Sequence, residues 1–169
     1  MKDPLEALLN FLKKVNRVLV PIAMGAILVM MAVVSINVIG RAFFSLPVFG
    51  TVEIVELAGL VFVSFILAYT QLERENIIVN ALIDRLPPRI QAITNCFTQF
   101  LTLLIVAALI WTGSVHALQM IRVNEITAIF RIPQAPFRFV WVFGCIILLL
   151  VLIAQFIESV IEVIKKWAP

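Results

Sequence analysis

Few residues in this chain are of a type that does chemistry, and three of them stand where two apolar runs meet. Arg41 closes the first run, Glu53 and Glu56 open the second, and Pro47 and Gly50 lie between. Carboxylates three residues apart share a helix face. A guanidinium across a tight turn can pair with either, so the junction reads as a candidate active site or as a pinned corner. His116 is the sole histidine. A haem held by two histidines needs a second one, and zinc needs three or four clustered ligands. A hydrogen-bonded histidine near the end of its span is the simpler reading. Cys96 and Cys145 lie toward the starts of different spans, which antiparallel neighbours place on opposite faces, so they read as small apolar residues rather than a disulfide. Thr94, Thr98 and Thr102 share one face. Such hydroxyls bond helix to helix in lipid; as a solute path they lack an ionisable companion. No phosphate-cradling glycine loop, Walker lysine, Ser-His-Asp set or metal-spaced cysteine pair is present. The expectation is a protein that is not an enzyme and holds no cofactor.

The elements that must position these residues follow from composition. Of 169 residues, 63% are hydrophobic and 14% charged, and the mean hydropathy is +1.11. A soluble domain is about 45–50% apolar and about 25% charged, so the bilayer is the solvent for most of this chain. Uncharged runs cover Val18 to Gly40, Leu57 to Leu72, Ile90 to Ile121 and Phe139 to Ile157. A span needs roughly 20 mainly apolar residues, and only helices or closed barrels satisfy the backbone in lipid. Barrel strands would alternate apolar and polar, and no such pattern appears. The fold class is therefore an all-α integral membrane protein of four transmembrane helices, with short interfacial amphipathic helices.

We expect a single membrane domain over 1–169. Asp3, Pro4 and Glu6 fit N-cap, N1 and N3 of a helix, giving an interfacial helix over 3–16 and a bend at Pro21. Spans follow at 18–43 and 52–72. Asn76, Asn80 and Asp84 set a polar stripe on an interfacial helix over 76–86, which Pro87-Pro88 ends. The third span, 89–121, is longer than the hydrocarbon and must tilt or project. A loop at 122–138 leads to the fourth span at 139–162. Trp111 lies deeper than the usual aromatic belt, which points it at protein rather than lipid. Arg131 and Arg138 meet lipid phosphates or another protein.

Orientation follows from the basic residues. Lys2, Lys13, Lys14, Arg17, Arg74, Arg85, Arg89, Lys165 and Lys166 fall on one side, and Arg41, Arg122, Arg131 and Arg138 on the other. Basic residues favour the cytoplasmic side, which places both termini in the cytoplasm and the 122–138 loop outside. The first apolar run is too long for a signal-peptide core, and a net charge of +3 split between two faces gives no argument for nucleic acid. No acidic residue lies at mid-depth and no paired broken helices appear, the usual marks of a transport core. The chain alone looks like a membrane scaffold. A self-sufficient homo-oligomeric transporter or channel, with the threonine face as its path, is the alternative. A membrane anchor for a redox enzyme is the third reading.

One set of residues resembles a known family. Gly40-Arg41-Ala42-Phe43-Phe44, Pro47, Glu53 and Glu56 entering a helix, Ala68-Tyr69, Ile77 to Asp84, Leu86-Pro87-Pro88-Arg89 and Ile132-Pro133 are similar to the small membrane subunit of TRAP (tripartite ATP-independent periplasmic) transporters. Val48-Phe49-Gly50 stands where that family often has Trp before its acidic pair. The resemblance implies a place in the bacterial inner membrane and three kinds of partner. These are a large multi-span transport subunit carrying the substrate and sodium sites, a periplasmic solute-binding protein, and membrane lipids. The small subunit would brace the stationary scaffold and help dock the binding protein, which delivers an acidic organic solute. Arg41, Glu53, Glu56, Trp111, Arg131 and Arg138 are the interface or structural candidates, and Thr94, Thr98 and Thr102 the helix-packing face.

Overall fold

A computed structural model describes residues 2–73 and 88–167. The expected interfacial helix over 76–86 lies outside the described residues. Among the described residues four α-helices follow one another: α1 (Lys2–Phe44), α2 (Thr51–Leu72), α3 (Pro88–Arg122) and α4 (Ala135–Trp167). Each contains a segment long and apolar enough to cross a membrane: Leu9–Phe44, Thr51–Leu72, Ile93–Arg122 and Ala135–Ile161.

Two boundaries differ from the sequence-based expectation. The segments 3–16 and 18–43 are one uninterrupted helix of 43 residues with Pro21 inside it. Proline removes one backbone donor and crowds the preceding turn. Packing on both sides of the proline holds the helix together: Leu12, Asn16 and Ala23 are all buried. The fourth helix begins at Ala135, four residues before the expected span. Pro136 sits in its first turn, where its fixed φ and missing N–H suit a helix start. Arg138 therefore belongs to the first turn of α4, not to the loop.

The helices lie in the order α1, α2, α4, α3, with α1 also touching α4. Within the most apolar window, α4 is 44% buried and α2 22%, whereas α1 and α3 are 6% buried each. The two central helices therefore carry the core and the other two form its edges. Helix α1 runs antiparallel to α2, with Met30 against Gly59 and Leu12 in one cluster with Ala68, Ile147 and Val151. Helices α2 and α4 run the same way, since Ser64 meets Gly144 and Gln71 meets Gln155. Helix α3 returns antiparallel to α4. There the Phe100 and Phe156 rings lie 6.2 Å apart, Ser159 Oγ donates to Gln99 Oε1 at 3.2 Å, and Trp141 packs over Gly113.

Lipid removes most of the hydrophobic drive between spans, so close backbone approach and interhelical hydrogen bonds hold them together. Gly144 provides that approach. A Cβ there would run into the Ser64 backbone carbonyl.

Candidate functional site

The polar groups gather at the two ends of the α2–α4 pair. At the hairpin end, labelled outer for the orientation proposed below, α1 ends on Ser45 in the left-handed region (φ 53°), and Leu46 N–H donates to the Gly40 carbonyl at 3.1 Å. Asn37 Oδ1 accepts from Val48 N–H at 2.9 Å, and Thr51 Oγ1 donates to the Val48 carbonyl at 2.8 Å. These contacts fix the turn. Gly50, with φ 79°, is the N-cap of α2 and offers no side-chain cap. A left-handed φ is open to glycine at no steric cost.

Between α3 and α4 the chain folds into a small hairpin. Asn124 in the left-handed region (φ 49°) turns the chain out of α3. Ile126 and Pro133 form an antiparallel bridge, Gln134 N–H donates to Glu125 O at 3.2 Å, and Thr127 N–H donates to Ile132 O at 2.9 Å. Thr127 Oγ1 accepts from Ile132 N–H at 3.0 Å. The tip turns through Arg131, at φ 52°. The ladder leaves the tip amides of Ile129 and Phe130 pointing outward, a concavity suited to an anion.

Glu53 fills that concavity. Its two carboxylate oxygens accept one N–H each, from Ile129 at 2.6 Å and Phe130 at 3.0 Å. Hydrogen bonds to an ionised acceptor are roughly twice as strong as neutral ones. The Phe130 ring lies over Gly50, so that a Cβ at position 50 would overlap it. Two loops far apart in sequence are thus clasped into one outer surface by a carboxylate and a ring.

The other candidates fall elsewhere. Arg41 is exposed, and its expected pairing with Glu53 or Glu56 does not form, because Glu53 is turned to the hairpin amides. Glu56 is exposed as well. Arg131 occupies the exposed hairpin tip. Arg138 is half-buried, with its Cζ 5.7 Å from the Trp141 ring centre and its Nε buried without a hydrogen-bond partner among the described residues. Trp111 is 75% exposed. Thr94, Thr98 and Thr102 donate their hydroxyl protons to the carbonyls of Ile90, Thr94 and Thr98, one turn earlier in the same helix. The helix-to-helix bond beside them comes instead from Gln99.

The opposite end, labelled inner, was not legible in the sequence. Gln71 Nε2 donates to Gln155 Oε1 at 2.5 Å, and Gln155 Nε2 donates to the Gln71 backbone carbonyl at 2.7 Å. Gln155 is 3% exposed. Its visible signal was an amide inside the most apolar run of the chain. Asn16 is also buried, and neither polar atom of its side chain has a partner among the described residues. No group of three or more His, Cys, Asp or Glu residues that could hold a metal occurs among the described residues.

Four membrane-crossing helices, with polar groups spent on clasping loops and pairing helices, define a multi-pass helical membrane protein. Comparison with known families narrows this. The model of the DctQ component of tripartite ATP-independent periplasmic transporters matches residues 30–162, and the chain belongs to that family. It is thus of the small-subunit family of TRAP transporters, proteins of the inner membrane and components of a transporter. The family works with the DctM large subunit and a periplasmic binding protein. No curated protein and no solved structure matches the chain significantly.

Proposed function

We propose that this chain is the stationary brace of a sodium-coupled TRAP system that takes up an acidic organic solute. In this reading both termini are cytoplasmic, and the clasped corner and hairpin face the periplasm, where they help dock the solute-binding protein. Lys13, Lys14 and Arg17, all exposed near the start of α1, then lie on the cytoplasmic side favoured by basic residues.

The observation that carries this reading is the Glu53 clasp. A carboxylate spent on two loop amides is a structural device. It makes the α1–α2 corner and the hairpin one rigid body, as a docking surface requires. The self-sufficient channel is less well supported. The hydroxyl protons of Thr94, Thr98 and Thr102 are committed within their own helix and are not free to be donated to a passing acidic solute.

The test is co-expression with a large TRAP subunit. Joint elution in mild detergent, with solute uptake in liposomes that needs both subunits, the binding protein and a sodium gradient, is the expected result. Separate elution with unimpaired transport by the large subunit alone overturns the reading.

A further inference from the structure

Helices α1 and α3 are equally uncovered, yet their bare faces differ in chemistry. Between Val18 and Gly40 the exposed side chains of α1 are apolar apart from Ser35. Such a face suits acyl chains. On α3, residues 98, 102, 105, 109, 112, 116 and 119 recur at steps of three and four. They make one continuous stripe along the helix, and five of the seven are polar: Thr98, Thr102, Thr112, His116 and Gln119. Ile105 in the middle of the stripe is 61% exposed, and Thr98, Thr112, His116 and Gln119 are exposed too. The stripe lies roughly a quarter of a turn, at 100° per residue, from the face that packs on α4 through the buried Val106, Gly113 and Ala117.

Polar side chains along a span are concentrated where helices meet, because hydrocarbon offers them no hydrogen bonds. Thr98, Thr102 and Thr112 donate to carbonyls of their own helix, which leaves the oxygen lone pairs as acceptors. His116 and Gln119 have no side-chain hydrogen bond among the described residues. A second copy of this chain fits the stripe poorly. Symmetric pairing about an axis along the membrane normal would set each threonine acceptor level with its own copy, whose hydroxyl proton is already committed, leaving donors only at His116 and Gln119 at one end of the stripe.

We propose that this flank of α3 receives a membrane-spanning helix of the large transport subunit, one that presents small residues and hydrogen-bond donors, and that α1 is left to the lipid. The assignment rests on the reading of the chain as a small TRAP subunit.

The experiment places a photo-crosslinking residue at Ile105 on the stripe, and separately at Val34, 43% exposed on α1. Each variant is co-expressed with the large subunit. Ile105 is expected to give an adduct of the summed subunit masses, and Val34 none. An adduct at Val34 but not at Ile105, an adduct of twice the chain mass, or no adduct at either site in a complex that still co-purifies overturns this inference and leaves the proposed function standing. If the unmodified chain does not co-purify, the proposed function fails first and this inference with it. As a second measurement, T98V, T102V and T112V together are expected to lower the co-purifying fraction several-fold without changing the yield of the chain in the membrane. Full co-purification of that variant counts against the stripe.

Discussion

The two ends of the α2–α4 pair solve one problem with different chemistry. At the outer end a full charge, Glu53, holds two backbone amides at the rim of the span. At the inner end Gln71 and Gln155 form a neutral amide pair, with Gln155 almost fully buried. A carboxylate beside water keeps part of its hydration, whereas an isolated charge in a low-dielectric interior costs several kcal/mol or more. An amide in that interior needs only its hydrogen bonds satisfied. The difference teaches where each end can give way. The outer clasp can be undone locally, freeing a loop, whereas the inner pair can be undone only by parting the helices.

The largest effect should come from the contact midway between the two ends. Gly144→Leu sets a branched side chain against the Ser64 backbone, which has no rotamer to yield. Overpacking costs about 1–3 kcal/mol and occasionally more, so a much lower melting temperature and loss of the monomer peak on gel filtration are expected. Normal melting would show that α2 and α4 do not pack here. Next is the outer clasp itself. Glu53→Ala leaves both tip amides unpaired, and hydrogen exchange at Ile129 and Phe130 should rise by roughly tenfold or more while the helical core keeps its protection. Glu53→Gln should fall between, because its amide oxygen accepts while its NH₂ group faces a donor. Exchange that is equal in all three proteins would mean the clasp does not order the hairpin.

Much of this was legible in the chain. Uncharged runs gave the four helices, because in lipid length and apolarity decide and little else competes. The outer corner was legible in part. Pro47, Gly50 and the two glutamates marked a turn and a helix start. The partner of Glu53 could not be read, because backbone amides carry no residue label and the hairpin lies 76 and 77 positions away. Charge matching pointed to Arg41 instead. Pro21 stands inside one continuous helix, with Leu12 and Asn16 buried before it and Ala23 after it, so the polar and apolar parts of α1 join without a break. Pro136 falls within the loop expected at 122–138, although proline suits the first helical turn equally well, and the helix starts at Ala135. The Gln71–Gln155 pair was missed because neither residue lies in a polar pattern.

The inner pair predicts a smaller change. Gln155→Leu removes an acceptor for Gln71 and the donor to the Gln71 carbonyl. Interhelical hydrogen bonds in membranes average about 0.6 kcal/mol, with a maximum of about 1.7, so a fall of a few degrees in melting temperature is expected. Combining it with Gln71→Leu should cost less than the two single changes added together, since the pair shares one bond. Strict additivity in that cycle would break the comparison between the two ends.

The smallest change in stability should follow from Arg41→Ala. Arg41 is exposed and Glu53 is occupied by the hairpin, so no internal bond is lost. Surface substitutions of this kind usually fall within about 0.5 kcal/mol. Arg41 is, however, in the last turn of α1, where the helix dipole favours a cation, on the same outer corner that the clasp makes rigid. Arg41→Ala and Glu56→Ala should therefore leave melting and hairpin exchange unchanged but lower complex assembly or uptake, with the same solutes accepted. A shift in solute preference would refute a purely assembling role for the corner. A large loss of stability from Arg41→Ala would point to an internal partner for this guanidinium and erase its contrast with Glu53, whose effect should appear in the hairpin itself.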